Sequence, residues 1–290
     1  LVTGGAGYLG AVLVPLLLDD RYNTHVTVLD SFAHGVPSLL GVAYHPRLRI
    51  VRGDVRDSAL VKQLADEADA IIALAAVVGQ RAAEMDKIGA VAVNAESIRS
   101  LVEGLSPTQR LIYPCTNSGY GMAGEAECTE ESPLRPTSEY GLSKALGERY
   151  ALAHPQAISL RFATLFGPSP RMRLDLLVND FVYRAVHHEE VLLFEGEFRR
   201  NFLHVRDAAK AIIWALDNTK IWAGHVFNVG DSRANMSKRS LCETILRHLP
   251  DFRWSEAISG AGTDPDRRDY VVSNLKIESV ARWCPQYSID

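Results

Sequence analysis

Tyr140 and Lys144 are the two residues whose types and spacing point most directly to chemistry. Side chains four residues apart on a helix project from the same face, so the ammonium group can lie near the phenol. A free phenol has a pKa of about 10 and is a poor base at neutral pH. A nearby positive charge stabilises the phenolate, so we expect Lys144 to bring the pKa of Tyr140 towards the working range. Taken alone, the pattern is common by chance, and an exposed helix face explains it better.

Two hydroxyl side chains, Thr116 and Ser118, follow a predicted strand at residues 110–113 and precede a Gly-Tyr-Gly loop. A hydroxyl can donate to a substrate oxygen and accept from a phenol, which suits proton transfer between an alcohol and a carbonyl. Ordinary turn chemistry is the alternative explanation. The position at the end of a strand favours a functional role for Thr116 more than for Ser118.

The elements that must position these groups begin with a glycine-rich turn. Gly4, Gly7 and Gly10 recur every third residue between a short strand and an apolar helix that we predict to begin near Tyr8. In a strand-turn-helix unit the first glycine allows the tight turn, the second lets the backbone approach a pyrophosphate, and the third lets the helix pack against its strand. The helix N-terminus adds free N–H groups and a positive dipole end. A glycine loop chosen only for its positive φ is the alternative.

The next predicted strand, residues 25–30, ends in Asp30, 20 residues after Gly10. A carboxylate there can accept hydrogen bonds from both ribose hydroxyls of NAD, and it would repel the additional phosphate of NADP. No Arg or Lys stands in residues 31–35, so the sequence favours NAD. An aspartate that merely caps a turn is the alternative. Behind such a turn, Tyr140 and Lys144 are better explained as catalytic, with Lys144 also donating to the nicotinamide ribose. The positive nicotinamide ring would then act together with Lys144 in lowering the pKa of Tyr140.

The order of predicted elements indicates an α/β fold. Strands and helices alternate up to about residue 161, which is typical of a doubly wound parallel sheet, the Rossmann arrangement. We predict helices at residues 58–67, 85–105 and 138–153, the first capped by Asp57 and the last by Thr137. The Pro/Gly cluster at residues 166–170 predicts a boundary between an NAD-binding domain, 1–165, and a smaller α+β substrate lobe, 166–290. The strand-like run 226–229, within a segment around 200–230, could belong to the lobe or return to the main sheet.

Composition excludes several classes of protein. The chain has 290 residues, 47% of them hydrophobic, which is enough for one large or two moderate domains with real cores. A net charge of −4 offers no basic field for nucleic acid or an anionic membrane, so a small anionic ligand fits better. The four cysteines show no C-x-x-C spacing, which argues against a zinc site and a disulfide framework and favours the cytoplasm. No run is long enough to span a membrane. The chain begins inside a strand, so we expect a few residues before Leu1.

The sequence resembles the extended short-chain dehydrogenase/reductase superfamily, and within it the NAD-dependent nucleotide-sugar epimerase and dehydratase family. The resemblance covers nearly the whole chain and rests on residues 3–10, 30, 54–55, 74–76, 94, 116–121, 140–144, 161–162 and 200–207. It implies NAD as cofactor and a nucleoside-diphosphate sugar as substrate. The cofactor-binding residues that it implies or that the motifs suggest are Gly4, Gly7, Tyr8, Leu9, Gly10, Asp30, Ser31, Asp54, Val55, Leu74, Ala75, Ala76, Asn94, Tyr140, Lys144 and Phe162.

The same resemblance implies catalytic and substrate-binding roles. It makes Thr116, Tyr140 and Lys144 the catalytic triad. Arg200 and Arg268 would bind the diphosphate of the sugar nucleotide, a role for which the guanidinium fork is well suited. The substrate-binding residues to which it points are Asn117, Ser118, Thr164, Asn179, Arg200 and Arg268.

Departures from the family pattern narrow the chemistry. Sugar 4,6-dehydratases typically carry Asp and then Glu after the catalytic Thr, whereas this chain has Asn117 and Ser118, neither of which titrates usefully. A Glu of UDP-glucuronate decarboxylases, or a Cys of GDP-sugar epimerase/reductases, would stand where Ser118 stands. Oxidation and reduction at one sugar carbon remain, so we expect an epimerase acting at C4 through a transient 4-keto sugar. A nucleotide-sugar 4-ketoreductase is the alternative, and a non-catalytic NAD-sensing module is less favoured.

The identity of the substrate stays open at this stage. Thr164 stands where a substrate-binding Asn is common, and residues 264–268 replace an Arg-Pro-Gly element of the family. Both departures leave the sugar and the nucleotide undetermined. His187 and His188 lack a third ligand at metal spacing, so we expect no metal site. We expect His204 to be structural and Cys115 to be a small buried hydrophobe beside the site.

Two predicted helices suggest an assembly. In this family the helix before the catalytic strand and the helix that bears the Tyr commonly pair across a twofold axis as a four-helix bundle. Here these are residues 85–105 and 138–153, and we expect a homodimer through them. Their apolar residues are Ile88, Val91, Ala92, Ala95, Ile98, Leu142, Ala145, Leu146 and Leu152. Charged residues at 99, 103, 148 and 149 could equally leave these faces in water.

Overall fold

The centre of the molecule is a sheet of seven parallel strands. The structure is a computed structural model that describes residues 1–257 and 268–290. In spatial order the strands are β11 (Val226–Val229), β7 (Ala157–Phe162), β5 (Arg110–Thr116), β4 (Ala70–Ala73), β1 (Val2–Thr3), β2 (Val26–Asp30) and β3 (Leu48–Arg52). The predicted doubly wound sheet is therefore confirmed. The run 226–229, which the sequence left open, lies in this sheet beside β7.

Helices cover the sheet on both faces. Successive side chains of a strand point to opposite faces, so each strand contributes to two cores. The helices of the sheet region are α1 (Gly10–Leu17), α2 (Ser58–Asp66), α3 (Gln80–Met85), α4 (Lys87–Val91), α5 (Ser97–Gly104), α6 (Glu139–Ala151), α8 (Val205–Asp217) and α9 (Thr219–Trp222). Ile112 of β5 packs in a core with residues of α1 and α8, whereas its neighbours Leu111 and Tyr113 pack in a second core with α2, α5 and α6. Burial on both faces explains why the central strands are almost wholly apolar.

The helix predicted at residues 85–105 is not continuous. Asp86 ends α3 and caps α4, its carboxylate accepting from the N–H of Gly89 at 2.8 Å. A π-helical turn, Ala92–Glu96, then separates α4 from α5. Such turns often lie at functional sites, and this one carries a side chain that contacts the catalytic helix.

The two predicted caps have different outcomes. Asp57 caps α2 as predicted, because its side chain accepts from the N–H of Leu60 at 3.0 Å. The prediction that Thr137 caps α6 is wrong: Ser138 is the cap and accepts from the N–H of Gly141 at 3.1 Å. Thr137 and Ser138 both carry a hydroxyl that can cap a helix, and α6 begins one residue later than expected.

A smaller group of elements packs around its own apolar core on the carboxyl side of the sheet. These elements are β6 (Met122–Cys128), β8 (Thr164–Phe166), α7 (Leu177–Val186), β9 (Val191–Leu193), β10 (Arg199–His204), β12 (Asn235–Ser237), α10 (Lys238–His248), β13 (Trp254–Glu256) and β14 (Asp269–Val272). Strand β10 lies between β8 and β12 in a three-stranded sheet. Two short parallel pairs join β9 to β13 and β6 to β14. In the described residues no helix is long and apolar enough to cross a membrane.

Candidate active site

The glycine turn between β1 and α1 has a backbone path that larger residues could not follow. Gly4 has φ +70°, and a Cβ there would lie 2.6 Å from the backbone nitrogen of Ala75. A Cβ on Gly10 would lie 2.5 Å from the carbonyl oxygen of Gly5. Real Cβ atoms do not approach this closely, so the turn requires glycine at both positions. Gly7 lies between them and donates its N–H to the carbonyl of Gly4 at 3.1 Å.

The same turn leaves backbone donors for an anion. Helix α1 begins at Gly10, two residues later than predicted. Among the described residues, the N–H groups of Tyr8, Leu9 and Gly10 have no hydrogen-bond acceptor. Unpaired N–H groups at a helix N-terminus, together with the helix dipole, match a pyrophosphate. This set of donors fits the diphosphate of NAD.

Asp30 ends β2 beside the glycine turn. Its carboxylate accepts from the N–H of Ala6 at 2.9 Å and from the N–H of Phe32 at 2.7 Å. These bonds fix the carboxylate and leave lone pairs on both oxygens for ribose hydroxyls. Ser31 follows it in the exposed loop.

A cation that the sequence did not reveal lies near this carboxylate. Burial, followed by the charge of Arg173, lowers the pKa of Arg171, while the charges of Asp175 and Asp30 raise it. Arg171 is therefore within the electrostatic field of Asp30, although it stands far from it in sequence. Inspection of residues 31–35 alone could not have found it.

Other predicted cofactor residues lie at the carboxyl edge of the sheet. Leu74, Ala75 and Ala76 form the half-buried loop after β4, with the N–H of Leu74 donating to the carbonyl of Thr3 at 3.0 Å. Asp54 and Val55 follow β3, and the Arg56 hydrogen bonds hold the pKa of the Asp54 carboxyl below its usual range. Phe162, at the end of β7, is buried and pairs with Thr116. Their contacts with NAD remain predictions.

Asn94 braces this edge against the catalytic helix. It lies in the π-helical turn, where its amide nitrogen donates to the carbonyl of Val77 and to the hydroxyl of Ser143, both at 2.9 Å. Its amide oxygen accepts from the N–H of Val77 at 2.8 Å. These bonds join the loop after β4 to α6. The side chain holds the site together, and its predicted contact with the cofactor remains a prediction.

The predicted triad residue Thr116 lies between Tyr140 and Ser118. It ends β5, donates to the hydroxyl of Ser118 at 3.0 Å and acts on the phenol of Tyr140 by lowering its pKa. Ser118 in turn accepts from the guanidinium group of Arg268. Hydrogen bonds thus join Thr116, Ser118 and Arg268, with Tyr140 beside Thr116.

Burial raises the pKa of the Tyr140 phenol. Its pKa reaches about 12 in the protein without cofactor, although the charges of Arg173 and Arg268 act in the opposite direction. Burial thus outweighs the nearby cations in the chain alone. The lowering expected from Lys144 together with the nicotinamide ring stays a prediction.

Lys144 is buried below the catalytic face of α6. Its ammonium lies 4.1 Å from the centre of the Tyr113 ring. Burial lowers its pKa to about 8, against the charge of Glu148. The Tyr113 hydroxyl donates to the carbonyl of Lys144 at 3.1 Å. The sequence pattern predicts a strand at Tyr113 and does not indicate this role.

Asn117 is the most unusual polar residue of the site. It is completely buried, and in the described residues neither its amide nitrogen nor its amide oxygen has a hydrogen-bond partner. An unpaired buried amide costs on the order of 1 to 3 kcal/mol. A ligand that offers both a donor and an acceptor would remove that cost, which supports the predicted substrate-binding role.

The remaining predicted substrate residues differ in burial and in their contacts. Thr164 is half-buried in β8, beside β10. Arg200 is buried in β10 with its guanidinium 5.7 Å from the centre of the Tyr270 ring, and it donates to the carbonyl of Arg199 at 3.0 Å. Asn179 is buried and contacts protein groups through both of its amide atoms.

Two other groups, Cys115 and His204, have the structural surroundings expected of them. No cluster of metal-ligating side chains occurs in residues 1–257 and 268–290. Burial raises the pKa of the Cys115 thiol, which argues against reactivity. His204 caps α8 by accepting from the N–H of Arg206 at 3.2 Å and stacks on Tyr287.

Comparisons with known proteins agree with this geometry. The model of the NAD dependent epimerase/dehydratase family matches residues 1–230. The low-salt glycan biosynthesis protein Agl12 of Haloferax volcanii is 30% identical, over 100% of this chain and 94% of its own length. A dTDP-glucose 4,6-dehydratase of Streptomyces niveus is 31% identical, over 88% of this chain and 83% of its own. The solved UDP-glucuronic acid 4-epimerase of Bacillus cereus, in complex with UDP-glucuronic acid and NAD, gives a TM-score of 0.87 at 22% identity, over 99% of this chain and 94% of that chain.

Proposed function

Because the chain belongs to the NAD dependent epimerase/dehydratase family, we propose that it is a nucleotide-sugar epimerase that inverts C4 through a transient 4-keto sugar. The observation that carries the proposal is the composition of the site after Thr116. A dehydratase needs an acid and a base there to eliminate water, and this chain offers an amide and a hydroxyl, Asn117 and Ser118. The titratable proton carrier that remains beside Thr116 is Tyr140.

The protein groups can hold NAD at three points. The N–H groups of residues 8–10 receive the pyrophosphate, Asp30 receives the adenosine ribose, and Lys144 receives the nicotinamide ribose. When bound, NAD supplies the acceptor and the donor for the hydride at C4.

The proton path runs through Tyr140. Its phenolic oxygen takes the proton of the C4 hydroxyl and later returns it. The Thr116 hydroxyl, which donates to Ser118 in the sugar-free protein, turns to donate to the same sugar oxygen. A pKa of about 12 makes the phenolate costly. That value already includes the charges of Arg173 and Arg268, which favour the phenolate, and the positive nicotinamide ring would favour it further. The 4-keto sugar must then turn over in the site before the hydride returns to its other face.

The experiment is direct. Purified protein is incubated with UDP-glucose, UDP-glucuronic acid or dTDP-glucose without added cofactor, and the product is examined by NMR. We expect the C4 epimer of at least one of these compounds, and no 6-deoxy product. A 4-keto-6-deoxy sugar would show a dehydratase, and the absence of any conversion, with NAD bound, would favour the NAD-sensing module.

The 4-ketoreductase is a second candidate because it would use the same residues. The observation that favours it is Arg171, which lies in the field of Asp30 and could pair with the additional phosphate of NADP. Nucleotide extraction from the purified protein separates the two functions. Stoichiometric NAD supports the epimerase, whereas an empty protein that consumes NADPH with a 4-keto sugar supports the reductase.

We also propose the homodimer and the two-domain division. Met85, Ile88 and Leu142 are exposed, Ile88 to 84%, so an apolar surface remains on α3, α4 and α6. Ala95 and Ile98 do not belong to it, because both are buried in the chain's own core. Sedimentation at micromolar concentration tests the dimer, and a monomer alone would refute it. The division near residue 165 also remains a proposal.

A further inference from the structure

The glycine turn is bonded directly to a distant loop. The hydroxyl of Tyr8 donates to the carbonyl of Gly167 at 2.6 Å and accepts from the amide of Asn179 at 3.2 Å. The carbonyl of Tyr8 accepts from the hydroxyl of Ser169 at 2.7 Å. Burial raises the pKa of Tyr8 to about 12, so its hydroxyl stays a donor at physiological pH.

Asn179 completes this contact with its whole side chain. Its amide oxygen accepts from the N–H of Gly167 at 3.0 Å, and its amide nitrogen donates to the carbonyl of Arg173 as well as to Tyr8. Both hydrogens of the amide nitrogen are therefore used. A substrate could engage this side chain only by displacing one of these partners, so the structure assigns it to the protein framework.

The loop that these bonds secure, residues 167–175, carries two arginines. The charge of Arg171 is coupled to Asp30, and the charge of Arg173 acts on the phenol of Tyr140. Asp30 marks the place predicted for the adenosine ribose, and Tyr140 lies at the reacting end of the site. The two arginines are therefore coupled to groups at both ends of the place predicted for the dinucleotide.

We propose that Tyr8 and Asn179 form a latch that secures the 167–175 loop beside bound NAD and thereby slows its dissociation. The loop then adds the charge of Arg171, and that of Arg173 paired with Asp175, near a cofactor whose pyrophosphate the glycine turn holds. The inference deepens the proposed function, because an epimerase that returns the same hydride needs a cofactor that stays bound during turnover. Tyr8 and Asn179 are positioning residues, since they act through the loop.

The test is the rate at which bound NAD exchanges with radiolabelled NAD, measured on the NAD-loaded protein without sugar. In Tyr8→Phe the ring stays and two hydrogen bonds are lost, so we expect exchange about tenfold faster. Ser169→Ala, which removes the third bond, should accelerate exchange in the same direction. Tyr44→Phe, at a tyrosine that is 94% exposed, is the matched control and should exchange at the wild-type rate.

A double-mutant cycle separates the latch from a general loss of stability. Asn179→Asp combined with Tyr8→Phe should exchange no faster than the more severe single variant, because both break the same contact. Exchange at the wild-type rate in Tyr8→Phe and Ser169→Ala would overturn the inference. So would a lower melting temperature of the NAD-free protein with unchanged exchange, which is the result of a merely structural role. Since no sugar is present, failure of the epimerase proposal would leave this measurement unaffected.

Discussion

Replacing Lys144 by Met should stabilise the NAD-free protein although it removes a catalytic group. Lys144 is 4% exposed, and burial lowers its pKa from 10.5 to about 8. Each pKa unit corresponds to about 1.36 kcal/mol, so burying the charge costs about 3 kcal/mol of folding free energy at pH 7. Met retains most of the apolar stem but loses the cation–π contact with Tyr113, worth up to about 2 kcal/mol. We expect a net gain of about 1 to 2 kcal/mol at pH 7.

The gain in folding free energy from Lys144→Met should fall as the pH rises. A lysine whose folded-state pKa is depressed imposes its full cost below that pKa. The cost is relieved as the pH rises from about 8 to 10.5, because the folded protein then holds fewer protons than the unfolded chain. Met does not titrate. The advantage of Lys144→Met should therefore be largest at pH 7 and should decline towards pH 10.

Urea unfolding followed by circular dichroism, at pH 7 and pH 9.5, measures both effects. Lys62→Met is the matched control, because Lys62 is exposed and pairs with Asp66 across one helical turn. Its effect should stay within about 0.5 kcal/mol at both pH values. A Lys144→Met protein that is less stable than wild type at pH 7, with a difference that does not vary with pH, would refute the reasoning. Turnover should be lost in the same variant, which would show that the buried charge is kept for function.

Two further substitutions test the framework of the site. Gly10→Ala should abolish NAD binding or destabilise the protein by more than about 2 kcal/mol, because its Cβ would lie 2.5 Å from the carbonyl of Gly5. Gly104→Ala, whose Cβ would meet open space, is the control. Equal melting temperatures and NAD affinities of these two variants would contradict the argument. Arg161→Met should cost about 3 to 5 kcal/mol in urea unfolding, because it leaves Glu148 charged in a buried pair whose atoms lie 2.7 Å apart. Adding Glu148→Leu should recover most of that loss, and a double variant as unstable as the single one would show that the pair is not the cause.

Features that depend on nearby residues were predictable from sequence. The glycine turn and Asp30 depend on residues close in sequence, and the structure brings them together at one edge of the sheet. Thr116 and Tyr140 stand farther apart in sequence, yet both follow from a strand end and a helix pattern, and Thr116 acts on the pKa of the Tyr140 phenol. The cap of α6 shows the limit of such patterns, because two adjacent hydroxyls could cap the helix and tertiary packing selected Ser138.

Features that depend on distant residues were not predictable. The π-helical turn within residues 85–105 carries Asn94, whose contacts with Val77 and Ser143 exist only after folding. The high pKa of Tyr140 reflects burial, which the spacing of Tyr140 and Lys144 does not report. Arg171 lies near Asp30 because its loop is bonded to the glycine turn across more than 150 residues.

The most direct test of the central claim follows deuterium from C4. UDP-glucose, UDP-glucuronic acid and dTDP-glucose, each deuterated at C4, are incubated with the protein without added cofactor, and the products are examined by NMR and mass spectrometry. Tyr140→Phe, with its bound NAD quantified, is the control and should lose at least a hundredfold in turnover at unchanged NAD content. The account predicts an inverted C4 that keeps its deuterium, because the hydride returns to the carbon it left. Deuterium found at C6 or lost from the product, or no conversion of any of the three, would contradict it.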